Sequence, residues 1–256
     1  RFEPSSDLTF YARAASGFRQ GGINNAAFAA NFGTEIPAGF GPDEVWNYEA
    51  GAKGVALDGM LSFEAAVFHI DWKDQQVPAV SENGAFTFTT NAGKSVVNGV
   101  ELEGVLRPVD GLTLSSGLTY TDSHLTEDQP PTDGDENAPG KDGDRLPYVS
   151  KWAWTGTAEY EWPSYGEWQG YARANASYRS RAYTFFNTDN PFYRPVGDYF
   201  LADAAVGMRT ERVDISFMVR NLTDEKAELS AEVTPDGYRI FTVRPRTFGV
   251  TVRANF

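Results

Sequence analysis

A chain of 256 residues with a formal net charge of −13 has room for one large β domain or two ordinary ones, and its acidity argues against a nucleic-acid partner. The lack of cysteine excludes a disulfide framework and a thiolate metal site. The mean hydropathy is −0.42, and no stretch approaches the roughly 18 apolar residues of a membrane helix, which still leaves room for transmembrane β-strands.

The predicted elements begin almost at the first residue. "RFEPSSDLTFYARAASGF" runs into a strand-like pattern without a secretory signal, so we expect the sequence to begin within a domain. "VWNYEAGAKG" and "NGVELEGVL" follow as alternating segments. Their polar faces carry Glu49, Lys53, Glu101 and Glu103. In residues 60–76 the alternation of apolar and polar residues is interrupted near Val67–Phe68, for which a bulge is one possible cause.

The later segments alternate more regularly. They are "LTLSSGLTY", "KWAWTGTAEYEW", "WQGYARANASYR", "VDISFMV" and "RTFGVTVRANF". In the last of these, Val250 and Phe256 share an apolar parity, whereas Thr251 lies on the polar one. About ten such segments are present, each long enough for the ~9–11 residues that cross a bilayer as a tilted strand. The pattern predicts strands with one face toward lipid and one toward a polar lumen.

The connections between these segments alternate in length. Tight turns are expected at Asp58–Gly59, Pro108–Gly111, Pro163–Gly166 and around Glu211. Long connections rich in Gly, Pro, Asn and Asp are expected at 21–43, 78–94, 125–147, 183–197 and 223–245. Short turns on one side and long loops on the other are typical of outer-membrane β-barrels.

Aromatic residues of the apolar parity fall at the predicted strand ends. The outer ends carry Trp46, Tyr48, Tyr120, Trp152, Trp154 and Tyr178. The inner ends carry Tyr160, Trp162, Trp168 and Phe256. Two aromatic belts around an apolar band are typical of the two membrane interfaces. A soluble, lectin-like β-sandwich also has alternating strands, but it has no need of such belts.

Several stretches together resemble the C-terminal half of the barrel of TonB-dependent outer-membrane receptors, of which siderophore receptors are the usual kind. They are "GFRQGGIN", "NYEAGAKGVALDGMLSFEAAVFHIDWKDQQ", "VVNGVELEGVLRPVDGLTLSSGLTYTDS", "GDRLPYVSKW", "NLTDE" and "PRTFGVTVRANF". The resemblance implies an all-β, antiparallel 22-stranded transmembrane barrel, of which residues 1–256 would supply about ten strands as a single domain. In that family, the terminal Phe256 would be an assembly signal.

The resemblance also implies location in the outer membrane of a Gram-negative bacterium. The implied partners are outer-membrane lipid, the barrel-assembly machinery, an N-terminal plug with further strands, and the inner-membrane TonB energy-coupling complex, which acts through the plug. No plug or coupling box is recognised in this sequence. We therefore expect a segment of a larger receptor. A shortened barrel that closes or oligomerises is the alternative.

Residues suited to ligand contact lie on the polar parity or in the outer loops. They are Arg13, Arg19, Arg173, Arg179, Tyr183, Phe185 and Arg220. Guanidinium groups suit an anionic ligand such as a carboxylate or catecholate iron chelate, and exposed aromatic rings could stack on a planar ligand. The arginines could equally pair with lumenal glutamates, and the aromatic residues could pack the loops against each other.

Other constellations point away from a catalytic or metal site. The acidic loop 125–147 contains Asp133 and Asp135 at EF-hand spacing, but Ala138 stands where glycine is needed, so a solvated loop with weak divalent-ion association is expected. His69 and His124 lie on different segments without a Cys partner. No hydrolase or phosphate-binding motif is present, so we predict neither an enzyme nor a cofactor.

The resemblance implies energised uptake of a large, scarce solute, with an iron–siderophore complex as the family's usual substrate. The same architecture would also suit a carbohydrate, a vitamin or another nutrient. From a different class, a small barrel without a plug would act as a passive pore or an adhesin.

Overall fold

The computed structural model describes residues 1–129, 139–164, 166–234 and 237–254, and these residues form almost entirely antiparallel β-structure. Their elements in chain order are β1 Phe2–Ser5, β2 Leu8–Arg19, β3 Gly22–Ile23, α1 Ala26–Ala30, β4 Gly39–Phe40, β5 Asp43–Ala56, β6 Leu61–Lys73, β7 Gln76–Val80, β8 Thr87–Asn91, β9 Ser95–Val109, β10 Leu112–Leu125, β11 Trp152–Pro163, β12 Gln169–Arg179, β13 Ala182–Tyr183, β14 Pro195–Val196, β15 Tyr199–Arg209, β16 Val213–Arg220, β17 Glu228–Thr234, β18 Gly237–Thr242 and β19 Thr247–Ala254.

Eleven strands form one sheet in the order β1-β2-β5-β6-β9-β10-β11-β12-β15-β16-β19. Each of these strands therefore pairs with the next one of the sheet along the chain, as in a meander. The predicted all-β antiparallel fold is confirmed, and the additional strand is the short β1, which pairs with the start of β2. No helix of the described residues has the length and apolar character needed to cross a membrane.

Short and long connections alternate along the sheet. Within the described residues, short turns join β5 to β6, β9 to β10, β11 to β12 and β15 to β16. Gly111, in the two-residue turn after β9, has a φ of +80°, and a Cβ there would lie 2.1 Å from the carbonyl oxygen of Glu161. Because the strands are antiparallel, these turns share one end of the sheet, which we call the inner end; the long connections share the outer end.

The long connections contain small hairpins that the sequence patterns did not reveal. They are β3–β4, β7–β8, β13–β14 and β17–β18, and α1 lies between β3 and β4. Side chains join neighbouring loops: the amide of Asn24 donates to the carbonyl oxygen of Thr89 at 2.9 Å and accepts from its N–H at 3.0 Å. These two described loops at the outer end therefore pack against each other.

The mixed pattern of residues 60–76 reflects packing and not a bulge. β6 pairs with β9 without a register shift from Leu61 to Trp72. In its outer half, Phe68 and Ile70 pack against a buried apolar cluster beneath the loops. This cluster consists of Val77, Ala92, Val97, Leu125 and Leu146. The face that is polar elsewhere becomes apolar here because the folded loops cover it.

Candidate functional site

The strand register separates an apolar face of the sheet from a polar face. Ala158 of β11 lies between Leu114 and Ala174 of the neighbouring strands. On the opposite parity, Ser216 of β16 lies between Gly207 and Thr251. Large apolar side chains remain exposed on the first face, as shown by Val250, which is 69% exposed. An exposed apolar band of this extent is unusual for a soluble monomer and suits contact with lipid.

Aromatic pairs lie at both ends of the apolar face. At the outer end, the ring centroids are 4.6 Å apart in the pair Tyr120–Trp152 and 6.1 Å apart in the pair Trp46–Tyr48. At the inner end, Tyr160 and Trp162 stack at 5.6 Å. Trp154 and Tyr178 are register partners at the outer end, and Trp168 lies in the inner turn before β12. Their role at membrane interfaces stays a prediction, and Phe256 lies outside the described residues.

The inner half of the polar face carries two kinds of charge arrangement. On β11, β12 and β15, Arg209 forms an ion pair with Glu161 and donates to Gln169 at 3.3 Å. On β5, β6 and β9, Lys53, Glu64 and Glu103 are successive register partners. The Tyr11 hydroxyl donates to Glu64 at 3.1 Å, but no ion pair within 4.0 Å joins the described cations to the carboxylates of this wall. These carboxylates are Glu49, Glu64, Glu101 and Glu103.

The outer half of the polar face contains an open cavity of about 680 Å³ between β11, β12, β15 and the β17–β18 hairpin. Its polar-face lining includes Thr155, Thr157, Asn175 and Ser177. Arg220 and Arg244 also line it, and no ion pair in the described part of the chain neutralises either guanidinium group. The carboxylate of Asp203 also lines the cavity, and its Oδ1 accepts from the N–H of Asn221 at 2.8 Å. The two guanidinium groups therefore leave a net positive charge that can bind an anion, while the hydroxyl and amide groups can hydrogen-bond its neutral parts.

Asn221 positions both arginines of this cavity. It follows Arg220 directly and adopts a φ of +51°, a conformation that asparagine tolerates better than most residues. Its side-chain Nδ2 donates to the carbonyl oxygens of Glu225 and Arg244, each at 2.9 Å. Its Oδ1 accepts from the N–H of Glu225 at 2.8 Å. The buried amide of Asn221 in the "NLTDE" stretch is therefore used within the fold.

The structure separates the other arginines predicted to contact ligand. Arg173 forms an ion pair with Glu159, its register partner on β11. Arg19 forms an ion pair with the buried Asp43 and lies over a neighbouring tryptophan ring. Arg13 faces Glu49 across β2 and β5, and Arg179 lies at the outer end of β12. Of the predicted arginines, Arg220 alone lines the outer cavity. Sequence reasoning missed Arg244. Its position depends on a hydrogen bond from Asn221 of "NLTDE", 23 residues earlier in the chain.

The predicted loop aromatics pack mainly against other loops. Tyr183 stacks on Tyr193 with centroids 4.8 Å apart, and Phe185 lies 6.2 Å from Phe192. Nearby, the Tyr148 hydroxyl donates to the carbonyl oxygen of Ala231 at 2.5 Å. Burial raises the pKa of Tyr148, so its phenol keeps its proton in this loop assembly. The aromatic side chains therefore hold the outer hairpins together.

The described residues include part of the acidic loop and both histidines. Asp133, Asp135 and Ala138 lie outside the described residues, and the described part of the chain contains no group of three or more His, Cys, Asp or Glu side chains able to hold a metal ion. His69 and Asp71 share one face of β6, which is the apolar face at its outer end. His124 lies on the same face, two strands away.

Comparison with known proteins gives a consistent result. Residues 1–222 match the model of the family described as TonB dependent receptor-like, beta-barrel. The pesticin receptor of Yersinia enterocolitica is 26% identical over 98% of this chain, which covers 34% of the receptor. The probable TonB-dependent siderophore receptor PiuA of Acinetobacter baumannii is 28% identical over 88% of this chain and 29% of its own length. The chain thus spans about a third of the curated relatives it matches.

Solved structures share the fold. The ferric yersiniabactin uptake receptor FyuA of Yersinia pestis superimposes with a TM-score of 0.73 at 23% identity, over 100% of this chain and 36% of that one. The ferripyoverdine receptor of the outer membrane of Pseudomonas aeruginosa gives a TM-score of 0.66 at 17% identity, over 100% of this chain and 32% of its own. At these low sequence identities, the structural similarity establishes the fold alone.

Proposed function

Because this chain belongs to the family of TonB-dependent receptor-like β-barrels, we propose that it forms part of the wall through which a receptor takes up an anionic iron–siderophore complex. Family members are transporters of the Gram-negative outer membrane, not enzymes. The eleven-stranded sheet supplies a rigid wall, with its apolar face toward lipid and its polar face toward the lumen.

The observation that carries this proposal is the pair Arg220 and Arg244 at the outer cavity. A guanidinium group left without a carboxylate partner in a protein wall is available for an anionic ligand, and its planar fork matches carboxylate and catecholate oxygens. The polar groups beneath the two arginines would then contact the uncharged part of the chelate. The cavity lies at the outer end, where a solute from the medium arrives first.

The names of relatives support the same substrate class. PiuA is described as a probable siderophore receptor, FyuA as a ferric yersiniabactin uptake receptor, and a further relative from Pseudomonas aeruginosa, 27% identical over half of this chain and 16% of its own length, as a metal-pseudopaline receptor. Each of these three names refers to a siderophore or to a metal-containing ligand. For the present chain, an anionic ferric chelate is therefore the substrate class we favour.

The acidic inner wall supports a plug as the partner that fills the lumen. Its four glutamates outnumber Arg13 and Lys53, which are their register partners among the described cations, so a basic surface of a plug would complement this wall. Energy would then reach the plug from the inner-membrane TonB complex, and the barrel-assembly machinery would insert the whole receptor. These partners belong to the proposal.

Uptake of a labelled ferric chelate under iron limitation tests the function. The variant Arg220→Gln/Arg244→Gln should reduce uptake of a carboxylate-bearing chelate by roughly tenfold or more for each lost charge-assisted contact. Arg212→Gln, which removes an exposed guanidinium group at the inner turn, is the matched control and should have no effect. Unchanged uptake by the double variant at equal surface abundance would contradict the proposal.

A neutral nutrient is the second candidate, and the hydroxyl and amide groups of the cavity favour it. The side chains of Thr155, Thr157, Asn175 and Ser177 are suited to a carbohydrate or another polar, uncharged solute. In that case the receptor would import an uncharged solute, and the double arginine variant would leave this import unchanged.

A further inference from the structure

The β17–β18 hairpin at the outer end has one covered edge and one free edge. On the side of β17, the N–H of Gly197, which directly follows β14, donates to the carbonyl oxygen of Glu228 at 2.9 Å. On the other side, no strand of the described residues pairs with β18 except β17 itself. We call this unpaired side, along Gly237–Thr242, the free edge of β18.

The register of the hairpin shows which backbone groups point into the free edge. Ala231 and Ile240 are register partners, and the carbonyl oxygen of Ala231 accepts from the Tyr148 hydroxyl at 2.5 Å, outside the hairpin. In an antiparallel pair, opposite residues either exchange their hydrogen bonds or both direct their backbone groups away from each other. The N–H and C=O groups of Ile240 therefore point away from β17, as do those of Tyr238 two residues earlier.

The free edge has the composition of a strand that accepts a further strand. All residues of β18 are exposed, and the apolar side chains among them are Tyr238, Ile240 and Phe241. Such β-branched and aromatic residues favour paired strands. Exposed edges of native sheets commonly carry lysine or proline, which discourage pairing, but β18 contains neither. Its one charged residue, Arg239, forms an ion pair with Glu232 of β17, so the edge is left without an unpaired charge.

The position of the hairpin indicates what lies next to the free edge. The sheet runs in the order β15-β16-β19, and β14 directly precedes β15, whereas β17 and β18 connect β16 to β19. Because β17 contacts the segment after β14, β18 lies on the side of β19. In the described part of the chain β19 pairs with β16 alone, and backbone groups at membrane depth must be paired. The strand that completes this pairing brings its outer connection beside β18.

We propose that the free edge of β18 pairs, through main-chain hydrogen bonds, with an extended segment in the outer connection of the receptor strand that neighbours β19. Structures of this fold contain further chain to supply such a segment, since the present chain covers 36% of FyuA. Strand addition of this kind gives affinity through the backbone and selects side chains at alternate positions. The contact lies outside the membrane, fixes the hairpin above the outer cavity, and does not depend on the identity of the solute.

Amide hydrogen exchange at single-residue resolution tests the pairing in the purified, intact receptor. The amides of Arg239 and Phe241 bond to β17 and serve as internal controls, because they are protected whether or not the edge is paired. The amides of Tyr238 and Ile240 should exchange at rates similar to these controls. Exchange of Tyr238 and Ile240 at the rate of unpaired loop amides would overturn the proposal. Protection that is lost on dilution would indicate a second receptor molecule and would equally refute it.

A proline variant removes one hydrogen bond of the free edge without removing those of the hairpin. Ile240→Pro lacks an outward N–H, and proline is tolerated on strand edges at such positions. Ile240→Thr keeps the N–H and the β-branched shape and is the matched control. Exchange of the neighbouring Tyr238 amide should accelerate by roughly tenfold in the proline variant and stay as in wild type in the threonine variant. Equal exchange in the two variants would contradict the pairing, and the wild-type comparison remains decisive if the proline variant does not fold.

Photo-cross-linking identifies the segment that covers the free edge. With p-benzoylphenylalanine in place of Phe241, which is 47% exposed, irradiation should join β18 to a peptide of the same receptor molecule that lies outside the present chain. The same group in place of Phe32, an exposed residue between α1 and β4, should not yield that peptide. A cross-link between two receptor molecules, or the same peptide from both positions, would contradict the assignment of this segment to the neighbour of β19.

Discussion

The side-chain amide of Asn221 donates a hydrogen bond of 2.9 Å to the carbonyl oxygen of Arg244 and thereby ties the end of β16 to the segment that precedes β19. Between these two points the chain forms the β17–β18 hairpin, which covers the outer cavity. Since Asn221 also follows Arg220, one buried asparagine places both cavity arginines. The geometry of the site thus depends on a residue whose side-chain amide is hydrogen-bonded within the fold.

Replacing Asn221 should loosen this hairpin. Asn221→Gly keeps the positive φ available but removes three side-chain hydrogen bonds, so we expect local stability to fall by about 1–3 kcal/mol. Hydrogen exchange of residues 228–234 and 237–242 in the receptor measures this opening. Asn31→Ala, at the end of α1, is the control. Unchanged protection in Asn221→Gly would show that the Asn221 amide does not stabilise the β17–β18 hairpin.

Asp43 should contribute to the stability of the fold rather than to electrostatic interaction with a ligand. Its carboxylate is only 2% exposed and accepts from Arg19 Nε at 2.9 Å, from Trp72 Nε1 at 3.0 Å and from the N–H of Gln76 at 3.2 Å. Asp43→Ala leaves these donors unpaired, so thermal unfolding of the receptor in detergent should show a loss of about 2–4 kcal/mol. Glu82→Ala, in an outer loop, should be nearly neutral, and equal melting temperatures for the two variants would contradict this role.

The loop assembly around Tyr148 should open at alkaline pH. Because its pKa is raised by burial, the contribution of Tyr148 is complete below about pH 10, the ordinary tyrosine value, and is lost as the pH rises toward the folded-state pKa. Limited proteolysis of the outer loops should therefore accelerate as the pH rises above about 10. Tyr148→Phe keeps the ring but lacks the titrating group, so its cleavage should be faster at neutral pH and should not accelerate in this range. An identical alkaline profile in Tyr148→Phe would assign the effect to another group.

The two parities of β19 should respond differently to charge. Val250 lies on the apolar face and Thr251 on the polar face of the same strand. Val250→Arg should weaken insertion into vesicles by about 2–4 kcal/mol if it lies near the bilayer midplane, whereas Thr251→Arg should be tolerated. Folding assayed by heat-modifiable electrophoretic mobility gives the comparison. Similar losses for both variants would contradict a lipid-facing parity.

How far the sequence predicted the structure depends on what each residue faces. Alternation in β10, β11, β12, β16 and β19 predicted their faces because both environments are uniform there. In β6 it did not, since Phe68 and Ile70 lie on the polar parity but pack under loops whose fold is not encoded in strand periodicity. The hairpins of the outer end were missed for the same reason.

The candidate site was predicted only in part. The polar parity of Arg220 predicted that this residue faces the lumen. Arg173 lies on the same parity, but its charge is neutralised by Glu159 on the neighbouring strand. Arg244 lies in a segment without periodicity, and only the long-range hydrogen bond from Asn221 brings it to the cavity. Which cations remain unpaired is a property of register and loop packing, and neither can be read from local sequence.

The most direct test of the proposed function measures the dissociation constant of the purified receptor for two ferric chelates that differ only in charge, one with free carboxylates and one with the same groups esterified. Wild-type receptor should bind the charged chelate more tightly, and Arg220→Gln/Arg244→Gln should lose most of that preference while binding the ester nearly as before. Equal preference in the wild type and the double variant would contradict the assignment of this cavity to an anionic ligand.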